Sequence, residues 1–117
     1  MSKERLTSLE YLNEMTGGDP EFTREMIEMF FMQIEEFKNE LQEHYDAQRW
    51  KELGDLAHKA KSSVLTFGMN DLGIKLKELQ LKTQQLEDTE SYPIYLEVFS
   101  SQCDLAIAEL KNDLTSL

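Results

Sequence analysis

His58 stands in the stretch LAHKAKSSVLTFG, with Lys59 beside it and Lys61 three residues on. An imidazole among cations suits few chemistries. A metal site would need further ligands nearby, yet no second histidine lies three or four residues away, and the single cysteine argues against structural zinc. A neutral imidazole keeps a lone pair and can act as a nucleophile. Two positive charges one helical turn apart repel, so Lys61 favours the uncharged ring. The same ammonium can stabilise an attached phosphoryl group through charge-assisted hydrogen bonds. His58 and Lys61 are therefore suited to accepting and returning a phosphoryl group. Surface histidines near lysines are common, so these two residues alone do not separate that chemistry from an ordinary exposed histidine.

The surrounding helix decides how such a pair is presented. At about 100° per residue, His58 shares its face with Lys51, Gly54, Asp55, Lys61, Ser62 and Leu65. Lys59 points about 100° away from His58. Leu53, Leu56, Ala60, Val64 and Phe67 fall on the opposite side and are expected to enter a core. Gly54 and Ser62, one turn before and one turn after His58, are small and would leave the ring open to a large partner. A glycine inside a helix costs about 1 kcal/mol against alanine, so Gly54 calls for a reason.

Five helical segments are expected. The first spans about Ser8 to Met15, with Thr7 or Ser8 as its cap. After Gly17-Gly18, Asp19 caps a second helix that starts at Pro20 and reaches about Tyr45. Phe22, Met26, Phe30, Ile34, Phe37, Leu41 and Tyr45 form its apolar stripe, with Met29 and Phe31 to either side. The third helix is expected over Ala47 to Phe67, capped by Asp46 and closed by Gly68. The fourth covers about Asn70 to Glu87, with Leu72, Leu76, Leu79 and Leu86 among its apolar positions. The fifth covers about Pro93 to Ser116, with Leu96, Phe99, Cys103, Ile107, Leu110 and Leu114 on one side, so Cys103 is expected to be buried. Four long helices with short connections predict an all-α, antiparallel up-down four-helix bundle with a short extra N-terminal helix. All 117 residues are expected to form one domain.

Composition narrows the function. Apolar residues make up 40% and charged residues 30% of the chain, as in a globular protein. No apolar run approaches the roughly 20 residues needed to cross a bilayer, and the N-terminus lacks a signal-peptide pattern, so a cytoplasmic location is expected. The net charge of −11 argues against nucleic acid as a partner. Yet Lys51, Lys59, Lys61, Lys75, Lys77 and Lys82 outnumber Glu52, Asp55, Asp71 and Glu78 between residues 51 and 82. A mildly basic island in an acidic molecule suggests an anionic visitor.

The stretches AHKAKSS, FG and LGIKLKELQ, with GGDPEFTREMIEMFF upstream, resemble the histidine-containing phosphotransfer (HPt) domain family. Ala57, His58, Lys61, Ser63 and Gly68 match its pattern. Ser62 stands where the family usually has glycine; serine is still small, and its hydroxyl is able to bond back to a helix carbonyl. The resemblance implies a four-helix bundle whose histidine Nε2 takes a phosphoryl group from an aspartate of one receiver domain and passes it to another. It implies His58 as the phosphorylated residue and Lys61 as the phosphoryl stabiliser. Response-regulator receiver domains and a hybrid sensor kinase are the implied partners. Mg²⁺ is expected on the receiver and no cofactor on this chain, which is expected to be a monomer. Helical geometry adds Leu65, Met29 and Phe31, with Gly54 and Ser62, as candidate docking contacts. His44, near the end of the second helix, reads as a boundary side chain whose positive charge would suit the helix dipole. Neither histidine joins a nucleophile-base-acid set, so turnover without a receiver is not expected. The competing reading is a helical adaptor that binds without phosphate.

Overall fold

The computed structural model describes residues 5–117. They form α1 (Glu10–Thr16), α2 (Pro20–Asp46), α3 (Trp50–Thr66), α4 (Asn70–Gln85) and α5 (Tyr92–Leu114), with a short 3-10 turn, Thr89–Ser91, ahead of α5. No strand occurs among the described residues. The chain is an all-α bundle, as its periodicity predicts.

Local chemistry sets most of the boundaries. The Asp19 carboxylate accepts a hydrogen bond from the Glu21 amide at 3.0 Å, and Pro20 occupies the first helical position, as expected. The junction between α2 and α3 differs from expectation. Asp46 is the last residue of α2 and does not cap α3, which begins at Trp50 rather than Ala47. Ala47 to Arg49 instead fold back, with the Arg49 amide on the His44 carbonyl at 2.9 Å and Gln48 in the left-handed region at φ 57°. No glycine marks that turn. The His44 ring accepts a hydrogen bond from Arg49 Nε at 3.0 Å, which brings the guanidinium to this helix end. Leu86 likewise ends α4 with φ 55° and is exposed rather than part of the core.

Paired contacts give the directions of the helices. Phe30, early in α2, stacks on Phe67 beyond α3 with ring centroids 4.1 Å apart, whereas Tyr45, late in α2, meets Trp50 at the start of α3. These neighbours therefore run antiparallel. The Tyr92 hydroxyl donates to the Lys82 carbonyl at 3.1 Å and the Tyr95 hydroxyl to Glu78 at 3.2 Å, so α5 runs back along α4. Arg24 against Leu117 and Lys38 against Asp104 pair α2 with α5 in the same antiparallel sense.

Burial follows the expected stripes with one shift. On α2 the buried set is Thr23, Ile27, Phe30, Ile34, Phe37 and Leu41, with Met26 and Tyr45 partly covered. Phe22, expected in the core, is exposed, because Thr23 and Ile27 face inward at that end and the Thr16 and Thr23 hydroxyls bond each other at 3.2 Å. Cys103 is buried, and burial pushes its thiol up to about 12.

The segment before α1 is held as a strap across the bundle end. The Glu109 carboxylate of α5 accepts from the Leu6 amide at 2.8 Å, the Thr7 amide at 3.0 Å and the Thr7 hydroxyl at 2.7 Å. Thr7 is thus tied to α5 and does not cap α1; the Ser8 hydroxyl accepts from the Glu10 amide at 3.3 Å. The Arg5 guanidinium takes both oxygens of Asp113, at 2.9 and 2.6 Å. The Ser8 amide donates to the Phe67 carbonyl at 2.8 Å. Gly68 sits under this contact at φ 76°, and a Cβ there would lie 2.7 Å from Ser8 Cβ and 2.9 Å from the Ser8 nitrogen, so only glycine fits.

Burial alone would raise the Glu109 carboxyl, but the Leu6 and Thr7 hydrogen bonds and the Arg5 charge outweigh it and hold the group below the ordinary 4.5. Its stabilising contribution is therefore complete above pH 4.5 and is lost as pH falls through the lower folded value. Glu109→Gln is expected to lower stability by about 1–2 kcal/mol near neutral pH. Urea unfolding should show that difference shrinking as the medium is acidified to about pH 3, where the carboxylate no longer contributes; a constant difference would remove the carboxylate's charge from the strap.

Candidate functional site

α3 presents His58 to solvent, while Leu53, Leu56, Ala57, Ala60 and Val64 fill the inward side of the helix. Ring orientation comes from α4. His58 Nδ1 lies 3.2 Å from Gln80 Oε1. With the amide oxygen as acceptor, Nδ1 carries the proton and donates, which leaves the lone pair on Nε2. No protein group among the described residues bonds Nε2. In that tautomer the outer nitrogen of the exposed imidazole is free to accept.

Gln80 is absent from the sequence-derived candidates, although the sequence holds a signal for it. The connection between α3 and α4 is short, and His58 precedes Met69 by as many residues as Gln80 follows it. Two antiparallel helices joined by such a turn bring positions equidistant from it side by side. Helical periodicity within one segment does not contain that pairing.

The lysines divide into two groups. Lys51 is paired with Asp55 at 3.0 Å and Lys82 with Asp88 at 2.9 Å, and both ammonium groups are held more basic than usual by those hydrogen bonds. Lys59, Lys61, Lys75 and Lys77 form no ion pair among the described residues. The basic island seen in the sequence is therefore concentrated on the later turns of α3 and the first half of α4. Lys61 is half-buried, one turn from His58.

The expected docking contacts separate. Met29, exposed on α2, and Ser62, exposed on α3, line one groove of about 210 Å³ with Met26, Gln33 and Thr66. The Ser63 hydroxyl donates to Gln33 Oε1 at 3.2 Å, which ties the two walls together. The Ser62 hydroxyl makes no bond to a helix carbonyl among the described residues; instead the Thr66 hydroxyl donates to the Ser62 carbonyl at 3.1 Å. Leu65 is 40% exposed and adjoins Tyr11 of α1 in a shallow depression. Tyr11, Met15 and Phe22 are exposed apolar side chains, and none of them stands out as a docking residue from the sequence.

Two candidates leave the His58 face. Phe31 lies one heptad from both Arg24 and Lys38, which reach Leu117 and Asp104, so it belongs to the α5 side of α2 and packs against the core. Gly54 is buried against α4 rather than open beside His58. A single-helix projection places it at the edge of the polar face, and only the neighbouring helix reveals that this edge is covered.

A family model described as Hpt domain matches residues 25–115, most of α2 and all of α3, α4 and α5. The chain belongs to the Hpt domain family. No curated protein and no solved structure matches it. Hpt domains are histidine phosphotransfer carriers of two-component phosphorelays, where they meet receiver domains and kinases, rather than catalysts. In this Hpt domain, α1, the strap and Phe22 lie outside the matched segment. No helix among the described residues is long and apolar enough to cross a membrane.

Gln80→Leu keeps most of the side-chain volume and removes the acceptor. The ratio of the two neutral His58 tautomers, read from imidazole ¹⁵N shifts, is expected to move toward the Nε2–H form by about two- to tenfold, the factor one hydrogen bond is worth. An unchanged ratio would mean that Gln80 does not orient the ring.

Proposed function

We propose that His58 is the residue that carries the phosphoryl group and that Nε2 is its point of attachment. The carrying observation is the hydrogen bond from Nδ1 to Gln80, which leaves an exposed lone pair on the outer nitrogen. Nε2 attacks the phosphorus of a receiver's aspartyl phosphate. The P–N bond forms as the P–O bond breaks, and the aspartate leaves as a carboxylate. The phosphorylated ring becomes cationic while keeping its proton on Nδ1, so its bond to Gln80 becomes charge-assisted. Attack by a second receiver's aspartate reverses the step.

Lys61 meets the negative phosphoryl oxygens in this reading. It is the lysine one turn from His58 and has no ion-pair partner among the described residues, so no carboxylate competes for its charge. Mg²⁺ belongs to the receiver, and this chain supplies no cofactor. Ser62 with Met29 in one groove, and Leu65 with Tyr11 in the neighbouring depression, form the surface on which the receiver rests. Monomeric carriage in the cytoplasm by one domain is part of the same proposal.

Incubation with a phosphorylated receiver is expected to give acid-labile, base-stable label on the parent protein and none on His58→Gln. Label that persists in the variant would remove His58 from the mechanism; no label on the parent from any receiver would favour the phosphate-independent adaptor. Lys61→Ala is expected to slow transfer about tenfold, the effect of removing one charge-assisted hydrogen bond from the transition state. Circular dichroism of that variant should keep the helical signal, and a collapse of helicity would make Lys61 a structural residue instead.

A further inference from the structure

Residues that meet across α3 and α4 form three rungs at nearly constant register: Gly54 with Thr83, His58 with Gln80, and Leu65 with Gly73. The outer two each have glycine on one side. They are not equivalent. A Cβ on Gly73 would come 2.7 Å from Leu65 Cδ2, the mobile end of a partly exposed side chain that can swing away. A Cβ on Gly54 would come 2.1 Å from Thr83 Oγ1 and 3.2 Å from Thr83 Cβ. Turning Thr83 about χ1 relieves only the first of these contacts, and Thr83 is buried. Its hydroxyl also donates to the Gln80 carbonyl at 2.7 Å, so the threonine that touches Gly54 is bonded to the residue that holds His58.

We infer that Gly54 and Thr83 are positioning residues for the phosphoryl-accepting histidine. Their contact fixes the helix separation at which Gln80 reaches Nδ1, one turn along on each helix. The inference rests on the role proposed for His58 only in its consequence for transfer; the effect on the ring stands without it. This also supplies the reason for a glycine inside α3, where its propensity is poor.

The test reads the His58 tautomer ratio by imidazole ¹⁵N shifts in the full chain, with helicity monitored in parallel. Gly54→Ala is expected to move the ratio toward Nε2–H about two- to tenfold, as loss of the Gln80 bond does. Gly54→Ala with Thr83→Ala should move the ratio back toward the parent value, because the closer of the two contacts is gone and only the 3.2 Å approach to Cβ stays. Gly73→Ala, which adds the same methyl to the same seam, should leave it unchanged. Should Gly54→Ala lose its helicity, Thr83→Val gives the same reading with a methyl in place of the hydroxyl and a smaller shift in the same direction. A parent-like ratio in the folded Gly54 or Thr83 variant, while Gln80→Leu changes it, would overturn the inference and leave the role of Gln80 intact. A ratio that ignores Gln80→Leu as well would defeat both.

Discussion

The seam between α3 and α4 is the constraint on which the site depends. The Phe67–Met69 connection turns the chain back on itself, and the Ser8 amide on the Phe67 carbonyl, packed over Gly68, holds that turn in place. From there the helices lie against each other down to Gly54 and Thr83. A hydrogen bond such as His58 to Gln80 tolerates little change in donor–acceptor distance before it weakens. Close packing of two backbones is therefore what turns a flexible glutamine into a defined acceptor. The aromatic contacts at the two ends of α3, Phe30 on Phe67 and Tyr45 on Trp50 with Tyr92, anchor the same helix against α2 and α5.

Electrostatics acts on this frame rather than building it. The chain is strongly acidic, and an exposed phosphoryl group would be repelled by most of its surface. The lysines near His58 counter that field locally because, among the described residues, they are not spent on neighbouring carboxylates, unlike Lys51 and Lys82. Lys82 illustrates the alternative use of a cation. It bonds Asp88 and Ser91 and lies 5.0 Å from the centre of the Tyr95 ring, which closes the connection into α5. One residue type thus serves the turn in one place and leaves free charge in another, according to whether a carboxylate stands within reach.

The N-terminal residues extend the surface next to Leu65, while Leu12 of α1 is buried in the core. The strap fastens to Glu109 and Asp113 of α5, crosses the α3–α4 turn, and delivers α1 beside Leu65. Tyr11 thereby borders Leu65 of α3. Apolar side chains left exposed in a cluster, next to a polar reactive group, are what a large partner can cover. α1 and the strap lie outside the segment that the family model matches.

By itself the sequence determined the helices, the inward stripes, the Asp19-Pro20 start, the Gly68 stop and the outward placement of His58. Each follows from the 3.6-residue period or from the backbone preferences of a few residue types, and both are local. Where local signals are missing, structure and expectation part: Gln48 and Leu86 turn the chain in the left-handed region without glycine, and Phe22 yields the inner face to Thr23 and Ile27. Tertiary structure alone decided that Gly54 is covered, that Phe31 faces α5, that Tyr11 borders Leu65, and that Gln80 holds the ring. Those facts depend on which residues of different helices meet, and that is set by turn geometry and by how closely two backbones pack. A period read along one segment describes the faces of a helix but not its distance from the next.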